Sequence, residues 1–156
     1  MCNIKMYEKI LTLSKNVVKP AMEAYVRDMI IRKSFKHVLI EHVGLTNEEM
    51  LSRIEFDEKA EASTFYTIED AEKYIKATLL DEYNQNDIAE WLLVSEEKSL
   101  KLLMPEDSFE GEFTGKKIKK GKTDFQMVES VAVIIGKDNS ANGWHLITAY
   151  PEEFEY

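Results

Sequence analysis

Apolar residues recur at helical spacing through the first ninety or so positions and at strand spacing after that, and this change of period divides the chain. Ile4, Ile10, Leu11, Leu13 and Val17 give residues 1–19 one apolar face and predict a helix up to Lys19-Pro20. Proline is tolerated in a first helical turn, so a second helix is predicted from Pro20 through Met22, Tyr25, Val26, Met29 and Ile30 to about Phe35. A unit of residues 36–44 follows and ends at Gly44. Thr46 and Glu49 form a Thr-x-x-Glu capping box, with Leu45 and Met50 placed as a hydrophobic staple, and open a short helix that carries Arg53 near its end. Residues 62–66 read as extended. Thr67 with Asp70 caps a further helix through Ala71, Tyr74, Ile75, Thr78 and Leu79. Residues 84–87 interrupt it, and 88–93 form one more helical piece.

After Ser95 the strand candidates are residues 100–104, 111–118, 125–135 and 144–150, separated by Pro105, Gly115, Gly121 and the loop 136–143. The last is a β-prone run entered through Asn142-Gly143 and ended by Pro151, which cannot donate to a ladder. Period-two alternation puts Leu146, Thr148 and Tyr150 on one face and His145, Ile147 and Ala149 on the other. Helices first and antiparallel strands afterwards predict an α+β fold. There is no internal repeat, no glycine-rich phosphate loop and no His-Glu-x-x-His pattern.

With 156 residues, 44% hydrophobic and 31% charged, the chain reads as one ordinary globular domain. No apolar run approaches a membrane span, and no basic segment followed by an apolar block marks a secretory signal. Cys2 is the single cysteine, so the fold must hold without an intrachain disulfide. The net charge of −9 argues against a nucleic-acid binder, but Lys116, Lys117, Lys119, Lys120 and Lys122 fall within seven residues. They are either a solvated edge strand guarded by lysines or a strip that contacts RNA phosphates. His37 and His42 stand five apart, not on one stripe of a regular helix, and no ligand cluster accompanies them; neither a metal site nor a cofactor is expected.

The ordered set His42-Val43-Gly44, Arg53 eleven residues after His42, Ala62-Ser63-Thr64-Phe65, and Ile147-Thr148-Ala149-Tyr150-Pro151 resembles the bacterial ribonuclease A-like toxin domain found at the C-termini of contact-dependent growth inhibition proteins. The resemblance covers roughly residues 35–151. It implies N-terminal helices followed by antiparallel β-sheets, like ribonuclease A without its disulfides, and a division into an N-terminal helical segment, 1–34, and the toxin domain, 35–156. By position, His42, Arg53, Thr148 and Tyr150 match the family's active-site residues, and His37 matches a second recurrent histidine. Lys36 and Glu41 stand where the family commonly has glycine and arginine. Glu41 beside His42 is placed to raise the imidazole pKa and to repel phosphate.

The resemblance implies a metal-independent endoribonuclease toxin that makes a 2′,3′-cyclic phosphate, with RNA as substrate and a cognate immunity protein as partner. Histidine titrates near neutral pH and suits removal of the 2′-hydroxyl proton. A guanidinium can stabilise charge on the five-coordinate phosphorus. Tyr150 can donate to the leaving 5′-oxygen and Thr148 can position the phosphate. A phenol with a pKa of about 10 is a reluctant acid, which keeps His37 open as the alternative. His145 is set aside on its parity. The competing expectations are a catalytically weak or inactive ribonuclease-fold module that binds a protein or RNA partner, and a small acidic intracellular adaptor. The initial methionine favours a free-standing chain. The expected location is the cytoplasm, or the cytoplasm of a target bacterium after delivery.

Overall fold

The computed structural model describes residues 4–105 and 108–153. In order, the elements are α1 (Ile4–Leu13), a π-helical stretch (Ser14–Val18), α2 (Lys19–Arg27), a 3₁₀ turn (Met29–Ile31), α3 (Lys33–His42), α4 (Asn47–Glu55), β1 (Glu61–Phe65), α5 (Ile68–Leu80), α6 (Glu82–Val94), β2 (Ser99–Leu103), β3 (Gly115–Lys119), β4 (Gln126–Val128), β5 (Ser130–Lys137) and β6 (Trp144–Glu152). The fold is α+β. Helices precede two three-stranded antiparallel sheets, in the orders β1-β3-β4 and β2-β5-β6.

The N-terminal helices differ from the sequence expectation. Residues 1–3, Cys2 among them, lie outside the described residues. From Ile4 the helix does not restart at Pro20; it runs on to Arg27 through the π-helical turn. Proline has no N–H to give and its ring crowds the carbonyl four residues back. A wider turn just ahead of it, with the Lys19 N–H bonded to the Ser14 carbonyl, takes up that mismatch. The second helix then ends at Arg27 rather than near Phe35, and residues 33–42 are helical instead of the tail of that unit. Asp81, not the stretch 84–87, separates α5 from α6; its carboxylate caps α6 by accepting from the Asn84 N–H at 2.9 Å.

Both expected capping boundaries are present. Thr46 and Glu49 make the full reciprocal box at the start of α4, and Thr67 accepts from the Asp70 N–H at the start of α5. The long strand expected over 125–135 is two strands broken at Glu129, one in each sheet.

The main core joins Val18, Met22, Met29, Phe35, Ile75, Leu79 and Ile88 of the helices to Val131, Val133, Ile135 and Leu146 of the β2-β5-β6 sheet. Tyr25 of α2 stacks against Trp144 of β6 with ring centres 5.1 Å apart. The N-terminal helical segment is thus buried in the same core as the strands. The β1-β3-β4 sheet has its own small cluster, Leu45, Met50, Ala62 and Ile118, under α4.

The last strand corrects the alternation argument. Ile135 pairs with Leu146 but Ile134 pairs with Thr148, so Ile147 is an extra residue in a β-bulge. Cross-strand partners share a face. Leu146, Ala149 and Pro151 stand opposite Ile135, Val133 and Val131 and point inward. His145, Thr148 and Tyr150 stand opposite Gly136, Ile134 and Ala132 on the other face. His145 therefore shares a face with Thr148 and Tyr150, and Leu146 does not. Pro151 does not end the strand, which continues to Glu152 along the outer edge of its sheet, where a missing N–H breaks no ladder bond.

Candidate active site

His42 is the final residue of α3, and the chain leaves the helix there under tight control. Val43 turns extended and bridges Phe65 of β1, and Gly44, at φ +67°, donates its N–H to the Phe65 carbonyl at 2.9 Å. A side chain at Gly44 would be strained in that left-handed conformation. The next N–H, of Leu45, donates to Thr64 Oγ1 at 3.0 Å. This stitching lays the helix end against β1 and brings His42 Nδ1 to 3.1 Å from the Ser63 carbonyl oxygen. A carbonyl only accepts, so Nδ1 carries the hydrogen and Nε2 is left with the lone pair. Burial lowers the His42 pKa below the ordinary histidine value. The Ser63 hydrogen bond opposes that shift, Arg53 adds to it, and Glu41 opposes it without reversing it. Glu41 does raise this pKa, as expected, but burial outweighs it and the net shift is downward. The hydrogen bond to Ser63 fixes the direction in which the Nε2 lone pair points.

Tyr150 comes to the same point from β6. Its ring centre lies 5.6 Å from that of His42 at an angle of 45°. Thr148, two residues earlier and on the same face, is half-buried beside it. His37 stands on the exposed side of α3, and its charge disfavours protonation of His42.

Arg53 reaches the site from α4. Its Nη1 donates to the Glu41 carbonyl and lies 3.4 Å from the Glu41 carboxylate, and Nη2 donates to the Ile40 carbonyl at 3.4 Å. These carbonyls are among the last of α3, which have no partner inside the helix. The guanidinium so caps the helix that ends in His42. Glu41 is turned toward Arg53, a contact the sequence did not suggest.

The five lysines do not form one surface. Lys117 points inward with only 4% of its side chain exposed. Its ammonium lies 2.7 Å from Glu152, 3.1 Å from Glu153 and 3.8 Å from Glu61. Burial pulls its pKa down, but the hydrogen bonds to Glu152 and Glu153 and the nearby charges of Glu152 and Glu61 together outweigh burial, and the net shift is upward. Lys119 shares Glu153 at 3.6 Å, and Lys116 donates to Asn47 on α4 at 2.6 Å. Lys120 and Lys122 lie exposed at the β3–β4 turn. The strip is part ionic clamp, part turn, because alternation along β3 sends neighbouring lysines to opposite faces.

Sequence reasoning missed the Ser63 carbonyl, which orients the His42 ring. Ser63 lies inside the quoted block 62–65, but a backbone oxygen leaves no mark on residue type. It also missed the pair His145 and Asp138, 2.8 Å apart on the strand face that carries Thr148 and Tyr150. Among the described residues no group of acidic, histidine or cysteine side chains is arranged to hold a metal ion.

The model of the bacterial CdiA-CT RNAse A domain matches residues 36–151. The chain belongs to this family. A helix carrying histidine into the β1 edge, followed by two antiparallel sheets, is accordingly the architecture of a contact-dependent growth inhibition toxin domain with ribonuclease A character. Among solved structures, the chain is similar to the CdiA-CT/CdiI complex from Y. kristensenii 33638, with 26% identity and a TM-score of 0.65 over 74% of this chain and 98% of that one. No curated protein matches the chain. No helix among the described residues of this CdiA-CT RNase A domain is long and apolar enough to cross a membrane.

Proposed function

We propose that this ribonuclease toxin domain cuts RNA without a metal ion, by attack of a 2′-hydroxyl on the adjoining phosphorus, leaving a 2′,3′-cyclic phosphate and a free 5′-hydroxyl. The observation that carries the reading is the His42 ring, held at Nδ1 by the Ser63 carbonyl and packed against Tyr150. His42 Nε2 takes the 2′-hydroxyl proton. The 2′-oxygen bonds to phosphorus and the bond to the 5′-oxygen breaks. The Tyr150 hydroxyl gives its proton or a strong hydrogen bond to that leaving oxygen, with His37 as the alternative donor. Thr148 positions the phosphate between them, and the Arg53 guanidinium offsets its growing charge.

The matched family and the complex in which its Y. kristensenii relative was solved support two further readings: a cognate immunity protein binds this domain, and the domain acts after delivery into the cytoplasm of a target bacterium. Lys120 and Lys122 are the exposed part of the lysine strip and remain candidates for contact with the RNA backbone.

One observation favours a second reading, a weak or inactive ribonuclease-fold module: Arg53 is already engaged by Glu41 and the end of α3. Purified protein incubated with total RNA in chelator separates the two. Cleavage that ends in cyclic phosphate, falls at least about a hundredfold in His42→Ala and disappears on a 2′-deoxy substrate supports the enzyme. Binding of RNA without cleavage supports the module.

A further inference from the structure

The bulge at Ile147 has a structural consequence beyond the His42–Tyr150 pair. It carries His145 onto the Thr148 and Tyr150 face, where His145 pairs across the sheet with Gly136. Gly136 is needed there. A Cβ on it would lie 2.8 Å from Ile147 Cδ1 and 3.2 Å from His145 Cε1, so the notch left by the missing side chain seats both. His145 Nδ1 is fixed by the Asp138 carboxylate at 2.8 Å. Asp138 is itself held by the Ser140 N–H at 2.8 Å and by the Ser140 hydroxyl, within a hairpin loop closed by the Asp138 N–H to Gly143 carbonyl bond at 3.1 Å. A flat ring thus stands in a set orientation, with 51% of its side chain open to solvent and the 41%-exposed Ile147 beside it.

Across the bulge His145 and Thr148 stand opposite Gly136 and Ile134, two residues apart on β5, which at strand spacing is roughly 7 Å, a span that a neighbouring nucleotide covers. The carboxylate of Asp138 repels a phosphate, so the RNA backbone does not fit this place. An uncharged base face does, and stacking on an oriented ring tolerates any base. We propose that His145, oriented by Asp138 and flanked by Ile147, is a stacking platform for a nucleobase of single-stranded RNA next to the cleaved bond. The proposal rests on the reading of this cleft as an RNA-cutting site.

The test compares short and long substrates. Cleavage of a dinucleotide, which fills only the reacting position, should be unchanged in His145→Gln. Cleavage of an oligonucleotide of about ten residues should fall about tenfold in kcat/KM, the scale of one lost base stack. His145→Phe, which keeps the ring and loses its nitrogens, should cleave the oligonucleotide nearly as well as the parent. Asp138→Asn should show a smaller loss, with the same dependence on length. Thermal unfolding checks that each variant is folded. Equal losses on both substrates place His145 in the chemical step and overturn the platform. So does an unchanged oligonucleotide rate, or a His145→Phe variant as poor as His145→Gln. Fluorescence anisotropy with an uncleavable 2′-deoxy oligonucleotide gives the same comparison without chemistry. If the parent binds it but cuts no RNA, the proposed activity fails while the His145 variants still decide the platform by their affinity.

Discussion

The two sheets are built on different terms. The β2-β5-β6 sheet lies on the main core, with Val131, Val133, Ile135, Leu146 and Ala149 buried against the helices. The β1-β3-β4 sheet has a smaller cluster of its own, Leu45, Met50, Ala62 and Ile118, sends Phe65 of β1 into the main core, and is tied to its surroundings by polar bonds as well: Lys117 to Glu152 and Glu153, Lys116 to Asn47, the Gly44 N–H to Phe65. The candidate site straddles the two. Tyr150 and Thr148 ride on the sheet with the larger core, whereas His42 takes its orientation from Ser63 on the polar-tied one. Non-directional burial keeps a strand in place, but the spacing between Tyr150 on β6 and His42, which ends α3 against β1, also depends on directional contacts. Breaking those contacts should therefore affect activity out of proportion to the apolar surface lost.

The largest expected effect is at Lys117. Lys117→Met keeps the length of the side chain and leaves Glu152 and Glu153 without their buried cation. Stability should drop by about 3 kcal/mol in urea unfolding, the range for losing one partner of a buried ion pair. Lys120→Gln and Lys122→Gln, at the exposed turn, should each stay within about 0.5 kcal/mol of the parent. Equal effects at all three positions would show that the clamp between the sheets contributes nothing.

Arg53 comes next. It holds the end of α3 and its proposed role is to offset charge on the phosphate, so Arg53→Ala should lower RNA cleavage by about a hundredfold, or about 2.7 kcal/mol in activation free energy. Arg53→Lys should recover little, since an ammonium cannot reach the two carbonyls and a phosphate with one fork. Circular dichroism should remain that of the parent. Full activity in Arg53→Lys would reduce the residue to a point charge.

How far the sequence disclosed this arrangement depended on the kind of signal. The caps at Thr46 and Thr67 were legible because they are local rules of residue type, and the α+β order was legible from the change of hydrophobic period. The matched blocks gave the family and, through it, His42 and Tyr150, which the structure brings together. What stayed hidden needed three dimensions. One unpaired residue at Ile147 inverts the facing of a strand, and alternation counting cannot register it. Lys117 looked like its neighbours in a basic run until β6 delivered two carboxylates to it. Ser63 acts through a backbone oxygen. The helix boundaries near Pro20 and Arg27 failed because a π-turn absorbs the proline and the apolar pattern runs on past the true end.

A smaller effect is expected in pH dependence. The proposed role of His42 needs a neutral ring, and its pKa lies below the ordinary value of 6.5 because of burial. The acidic limb of kcat/KM should therefore fall below pH 6.5, whereas an exposed histidine base would put it there. The same shift affects stability. The unfolded chain takes up the proton at higher pH than the folded one, so this contribution is complete above the unfolded pKa and is lost as pH falls through the folded one. Loosening the small sheet should move the limb back up. His42 in an Arg53→Ala variant loses a nearby cation that disfavours its protonation, and its limb should shift to higher pH.

The smallest effect separates the two sheets most cleanly. Thr46 caps α4, which packs on the small cluster through Met50 and carries Arg53. Its hydroxyl accepts from the Glu49 N–H at 3.1 Å, and Glu49 returns to the Thr46 N–H at 3.4 Å. Thr67 caps α5 by accepting from the Asp70 N–H at 3.0 Å, and α5 is buried in the main core through Ala71, Ile75 and Leu79. Each Thr→Ala change removes one helix cap and should cost about 1 kcal/mol in urea unfolding. The two variants should differ in RNA cleavage. Fraying the first turn of α4 loosens the element that presents Arg53 to the end of α3, so Thr46→Ala should lower kcat severalfold. Fraying the first turn of α5, a helix that carries none of the candidate site residues, should leave kcat at the parent value. Matching losses of kcat in the two variants would mean that the site responds to global stability alone, and that the contrast between the sheets has no bearing on chemistry.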